Sequence, residues 1–169
     1  MSDQNHIVSA FDRDLETIQA QIMKMGGLVE AAINDAARSL ESRDEELATQ
    51  VRENDKAIDG LEEMINEETA RVIATRAPTA SDLRLILTVT KISGNLERIG
   101  DYAKNMGKRT TVLSQIPPVN DSASALRRMA HEVGEMLADA LDAYVPRDVA
   151  LAKMKAMADG ARIVREELS

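Results

Sequence analysis

The residues best suited to chemistry in this chain are carboxylates set one helical turn apart. Glu97 and Asp101 stand four apart in the stretch NLERIGDYAKN, Asn95 to Asn105, and Asn105 follows at the same spacing. On a helix such residues share a row, and two carboxylates that reach one point in space can chelate a hard or borderline cation. A second set, Asp55, Asp59 and Glu62, repeats the one-turn spacing earlier in the chain. Either set can equally be a solvated charged face, because Arg98, Lys104 and Lys108 lie near the first and Lys56 near the second. The histidines add little. Ferritin-like di-iron chemistry wants paired Glu-x-x-His motifs facing inward, and this chain has only His6 and His131. There is no G-x-x-x-x-G-K-S/T loop to cradle a nucleotide and no credible catalytic triad, so enzyme status is not expected.

The elements that must position these acids are helices. Val89, Ile92, Leu96, Ile99, Ala103 and Met106 alternate three and four apart, which predicts a helix with one buried seam. At about 100° per residue the row of Glu97, Asp101 and Asn105 falls roughly opposite that seam and is expected to face outward, with Arg98 as an exposed partner-facing or anion-binding group. Gly94, Gly100 and Gly107 interrupt the same helix at a cost of up to about 1 kcal/mol each, which suggests close backbone approach at that face.

Two further helices precede it. Phe11, Leu15, Ile18, Ile22, Met25, Val29, Ile33, Ala36 and Leu40 make a long first seam, interrupted by Gly26-Gly27 where a crossing helix could come close. Ser42-x-x-Glu45 has the spacing of a capping box and predicts the start of a second helix. Its seam is Leu47, Val51, Asn54, Ile58, Leu61, Ile65 and Val72, with Asp55 and Asp59 on the flank. Pro78 ends it. Thr79-x-x-Asp82 opens the third helix, which runs to about Gln115. Three long helices with short connections predict an antiparallel bundle over residues 1–116, closed by Pro117-Pro118.

The remainder is a partial repeat. A gap-free shift of 104 residues pairs Met25 with Met129, Val29 with Val133, Asp35-Ala36 with Asp139-Ala140 and Arg43-Asp44 with Arg147-Asp148. Residues 119–169 are therefore expected to hold two helices of a second bundle, about Ser122 to Tyr144 and Arg147 to Leu168, with no room for a third. Asp59 has no acidic counterpart there. A two-helix hairpin cannot cover both of its seams, so Leu137, Leu141, Leu151, Met154, Met157, Val164 and Leu168 are expected to have an open side and to drive self-association. The fold class is all-α: tandem three-helix bundles, the second incomplete.

Composition bounds the function. Hydrophobic residues make up 44% of the 169, enough for a core, but with 2% aromatics that core must be aliphatic. A net charge of −8 and no evident basic stripe argue against nucleic acid as a partner. Without cysteine there is no disulfide or thiol chemistry, which fits a reducing compartment. The polar, acidic start lacks the form of a secretory signal and no apolar run is long enough to span a membrane, so a cytoplasmic protein is expected.

The segments PTASDLR and NLERIGDYAKN resemble the PhoU family, bacterial accessory regulators of phosphate uptake. The resemblance implies two similar three-helix bundles, which agrees with the repeat. It also implies surface metal clusters held by pairs of E/D-x-x-x-D motifs, which carries over to Glu97 and Asp101 on the third helix and to Asp55 and Asp59 on the second. Oxygen ligands would admit divalent or trivalent ions: iron, manganese, zinc, magnesium or calcium. Asn95 departs from the Asp common at that position and removes one ligand charge. The resemblance implies an adaptor, peripheral to the membrane through its partners, that links the phosphate ABC transporter to a membrane sensor histidine kinase and restrains the phosphate-starvation response; the open apolar strip adds the expectation of a homo-oligomer, a homodimer being the simplest. Arg98 and Asn105 would face a partner. The alternative is a metal-free helical scaffold.

Overall fold

The computed structural model of this chain describes residues 2–117 and 122–144, which form four α-helices. They are α1, Ser2–Ser42; α2, Glu45–Arg76; α3, Ala80–Leu113; and α4, Ser122–Tyr144. The helix expected over Arg147 to Leu168 lies outside the described residues. Among the described residues no helix is long and apolar enough to cross a membrane.

The helix boundaries follow from backbone chemistry. Arg43 takes a left-handed φ of 59° just past α1, and the Asp44 amide returns to Ser39 O at 3.0 Å, which closes the last turn. Asp44 then caps α2, its Oδ1 accepting from the Leu47 amide at 2.9 Å. The capping box expected from Ser42 and Glu45 does not form. Ser42 remains inside α1 and donates to Arg38 O, and Glu45 accepts instead from Ser114 Oγ at 2.6 Å. Asp44 wins because it sits at the one position where the chain leaves helical geometry. Arg43 adds a long-range tie by donating to Ser114 O and Ile116 O at the C-terminal end of α3, where a cation also complements the helix dipole. Ala77, before Pro78, ends α2 with a left-handed φ of 45°. Thr79 opens α3 with its hydroxyl spent on Asp82 Oδ2 at 2.8 Å rather than on a backbone amide.

Helices α1, α2 and α3 each pack on the other two, and among the described helices α4 packs on α1 alone. The core is aliphatic: Ile18, Ile22, Met25 and Val29 of α1 meet Ile58, Ile65 and Val72 of α2 and Ile86, Val89 and Leu96 of α3, all almost fully buried. Polar pairs fix the register. Ser39 and Thr110, both buried, share a hydrogen bond of 3.0 Å between α1 and α3, and Asp14 of α1 accepts from Arg71 and Arg76 of α2. Arg127 of α4 ion-pairs with Glu41 of α1. At Gly26 the approach of α4 is so close that a Cβ would fall on the Leu141 side chain, whereas Gly27 faces open space.

Leu137 and Leu141, expected to lie open, are buried against α1 together with Ala130. The exposed large apolar residues of α4, Met129, Val133 and Met136, lie along one flank of that buried row. The long face of α1 is wide enough to serve the bundle and α4 at once, which periodicity within α4 cannot reveal. The other residues of the expected open strip, Leu151, Met154, Met157, Val164 and Leu168, lie outside the described residues.

Candidate functional site

The acids of α2 and α3 meet because α3 is turned relative to its expected seam. The fully buried positions of α3 are Ile86, Val89, Ser93, Leu96, Gly100, Ala103, Gly107 and Thr110, while Ile92, Ile99 and Met106 are only half-buried. Small residues occupy the line of closest contact because they let two backbones approach. A Cβ on Gly107 would come 3.0 Å from Ala48 O, and one on Gly100 would meet Ile58 at 3.0 Å and Asp55 Oδ1 at 3.6 Å. This turn of α3 moves Glu97 and Asp101 from the position opposite the core to the flank facing α2, where both are half-buried. They do not form an outward ladder. Asn105, further along the row, is exposed and accepts from Lys108 at 3.4 Å.

On α2 the expected roles of Asn54 and Asp55 are exchanged. Asn54 is exposed, and Asp55 is 3% exposed in the buried seam, with Asp59 exposed one turn later. A buried carboxylate needs a partner, and Lys104 of α3 supplies it: the ammonium ion-pairs with Asp55 and reaches Asp101 Oδ1 at 3.3 Å. No well-aligned hydrogen bond reaches either Asp55 oxygen. Glu62 completes the group from α2, its Oε1 lying 3.5 Å from where a Gly94 Cβ would be.

The electrostatics show that these groups sense one another. Burial first, then the nearby Asp101, Glu62, Asp59 and Asp55, hold the Glu97 carboxyl above its ordinary range. Burial and then Asp55 raise Asp59 in the same way, with Lys104 opposing and Asp101 adding to the rise. Lys104 is pushed up to about 12, first by its contact with Asp55, against the effect of burial, and further by Asp101. Lys104 thus pairs with Asp55 and Asp101 and offsets part of the rise at Asp59, whereas the shift of Glu97 comes from burial and neighbouring acids with no cation opposing it.

The structure therefore gathers Glu97, Asp101, Asp55 and Asp59 along one groove and leaves Asn105 and Arg98 outside it. Arg98 is exposed and makes no ion pair with a described residue. From sequence, Lys104 is only one of several nearby cations, and Glu62, though spaced one turn from Asp59, is not among the expected metal ligands. The i, i+3 spacing of Asp101 and Lys104 was the available signal, but the contact with Asp55 is tertiary. His131 is exposed on α4 beside Glu135, away from the groove. The donor set suits a hard cation in its chemistry, all oxygen and anionic. As placed, no group of three or more such ligands among the described residues encloses a point where an ion could sit.

Comparison with known proteins agrees with this architecture. The PhoU domain matches residues 22–110. A phosphate-specific transport system accessory protein PhoU homolog of Zymomonas mobilis is 43% identical over 147 residues, covering 87% of this chain and 62% of that protein. The phosphate-specific transport system accessory protein PhoU of Escherichia coli K12 is 40% identical over 146 residues, covering 85% of this chain and 59% of its own length. The chain thus spans about three fifths of the length of these curated relatives. The crystal structure of PhoU from Pseudomonas aeruginosa superimposes with a TM-score of 0.77 at 39% identity, covering 89% of this chain and 72% of that one. With more than half of its residues matched by the PhoU domain, and with helices that superimpose on a solved relative at this identity, the chain belongs to the PhoU family.

Proposed function

We propose that this chain is a regulatory adaptor of phosphate uptake rather than an enzyme, and that its α2–α3 groove is a metal site. In this reading it acts in the cytoplasm as a homo-oligomer, sits at the membrane only through its partners, and connects the phosphate ABC transporter to a sensor histidine kinase so that starvation genes stay repressed when phosphate is plentiful. The names of its relatives support the link to phosphate transport. The observation that carries the site is the convergence of Asp55 and Asp59 from α2 with Glu97 and Asp101 from α3 on a groove where burial first, and the neighbouring acids second, raise the Glu97 and Asp59 carboxyl groups. Asp55 adds a buried carboxylate without a well-aligned hydrogen bond. These four residues would hold the ion, and the ion would supply the positive charge that lets α2 and α3 approach. Lys104 would have to swing out, which its partial exposure permits.

A second reading, a metal-free scaffold, is favoured by Lys104 itself, whose ammonium already occupies the place of a cation between Asp55 and Asp101. Elemental analysis of protein purified without added metal separates the two. The adaptor reading expects stoichiometric metal in the wild type and none in a Glu97→Ala/Asp101→Ala variant of unchanged helicity. Metal retained by that variant sinks the site, and a wild type that takes up no offered metal leaves the scaffold. The regulatory part is tested by a phosphate-starvation reporter in a bacterium lacking its own PhoU protein. Repression restored in rich phosphate supports the adaptor, and unchanged derepression rejects it for this chain.

A further inference from the structure

The outer face of α3 has a charge pattern opposite to that of the protein. Arg84, Lys91 and Arg98 recur every seven residues, so they lie in one row, and Arg109 continues it after Tyr102. All four cations are exposed, and none forms an ion pair with a described residue. The three acids of α3, by contrast, are turned aside. Asp82 is half-buried and taken up by Thr79, and Glu97 and Asp101 face α2. In a chain of net charge −8 this leaves the row of cations without an acid of α3 among them, Asp101, 46% of whose side chain is exposed, standing on the flank toward α2. The mean charge of the sequence conceals it, and the stripe judged absent from composition is present in space.

Apolar groups are interleaved with the cations. Leu87 is 55% exposed, Tyr102 62% and Val112 62%. Tyr102 borders a shallow recess with Asn105, Met106, Lys108 and Arg109. The face lies opposite the bundle core, and α4, which among the described helices packs on α1 alone, does not cover it. From Arg84 to Arg109 it runs straight for roughly 38 Å at about 1.5 Å per residue.

We propose that this face docks an acidic amphipathic helix of a protein partner, laid along α3 with carboxylates at seven-residue intervals and apolar residues between them. The seven-residue repeat is the spacing at which one helix meets another along its length. The absence of competing acids makes the face complementary to an anionic partner, which speeds encounter and rejects cationic ones. An anionic membrane fits less well, because surface recognition of that kind uses dense clusters of Lys and Arg, whereas these cations are spaced two turns apart. Nucleic acid fits less well too, because a phosphate backbone is held by clustered Lys and Arg, and these cations stand about two turns apart in a single row. The inference stands on this surface alone and needs neither the metal nor the phosphate reading.

The test is fluorescence anisotropy of a labelled helical peptide of roughly 28 residues, about four heptads, with Glu at every seventh position and Leu or Ile between, titrated with the 169-residue chain. The expected result is saturable binding that weakens between about 50 and 200 mM salt. A triple variant, Arg84→Glu/Lys91→Glu/Arg98→Glu, should bind about tenfold or more weakly with an unchanged circular dichroism spectrum. A peptide carrying Lys in place of Glu should not bind the wild type, and this control leaves the protein unaltered should the triple variant unfold. No binding of the acidic peptide, or binding indifferent to the peptide's charge sign, overturns the proposal. So does a response confined to phosphatidylserine vesicles, duplex DNA or self-association of the chain, any of which would assign the stripe to another occupant.

Discussion

Lys104 of α3 is held against Asp55 of α2, and the two differ in exposure: 28% of the lysine side chain is in solvent and 3% of the aspartate. The carboxylate is therefore the committed partner and the ammonium the movable one. Lys104 reaches inward from the rim of the groove, so its aliphatic stem covers the approach to Asp55 while its charge satisfies it.

Removing that ammonium leaves a buried charge. Lys104→Met should destabilise the chain by about 1–3 kcal/mol, less than the roughly 3–5 of a fully buried pair because Lys104 is partly exposed. Urea denaturation at neutral pH measures it. The same variant should bind an added divalent metal more tightly than wild type if the groove is a metal site, since the competing cation is gone; equal or weaker binding counts for the scaffold.

The raised carboxyl groups set a direction for pH. Between the ordinary Glu value of 4.5, or the Asp value of 3.8, and the higher folded value, Glu97 and Asp59 hold protons in the folded state that the unfolded chain has released. Their contribution to stability therefore rises as the pH falls from neutral through the folded values, and it levels off below the unfolded ones. Glu97→Gln should raise the urea midpoint at neutral pH and gain less, relative to wild type, at pH near the ordinary carboxyl value. A midpoint lowered at neutral pH would mean that the Glu97 charge is stabilising. Lys104 acts at the other end: its contribution is complete below 10.5 and is lost as the pH rises through about 12.

Two glycines separate propensity from packing. Gly60 of α2 has open space around a Cβ, so Gly60→Ala should stabilise by about 0.5–1 kcal/mol through helix propensity. Gly107→Ala places its methyl 3.0 Å from the Ala48 backbone oxygen, which can yield only if α2 and α3 move apart. The expected result is a net loss of about 1 kcal/mol despite the same gain in propensity. Thermal melts of the two variants decide it, and a stabilised Gly107→Ala would show that the helices have slack.

Leu141 tests the docking of α4. Leu141→Ala deletes a side chain buried against Gly26 and should cost about 2–4 kcal/mol in the contact of α4 with α1. Hydrogen exchange should speed up in α4 while the amides of α2 and α3 keep their protection. Uniform loss of protection would mean that α4 and the bundle unfold as one unit.

The helices themselves were legible in the sequence. Apolar residues three and four apart, Pro78 after α2 and the Ala-, Leu- and Glu-rich composition determine the four described helices and most of their ends, because these signals act within a few residues of backbone; the exception is the start of α1, whose seam was legible only from Phe11 while the helix begins at Ser2. The acid pairs were legible for the same reason, as neighbours one turn apart. Tertiary structure decided how each helix is rotated about its axis. Periodicity weights large apolar residues and so put Ile92, Ile99 and Met106 inward, but two backbones come closest where side chains are smallest, and Gly100 and Gly107 took the contact line instead. That rotation turned Glu97 and Asp101 toward α2, made Asp55 rather than Asn54 the buried residue, and brought Lys104 between them. It also left Arg84, Lys91 and Arg98 alone on the outer face, since a charge pattern in space depends on where the acids are turned as much as on how many there are.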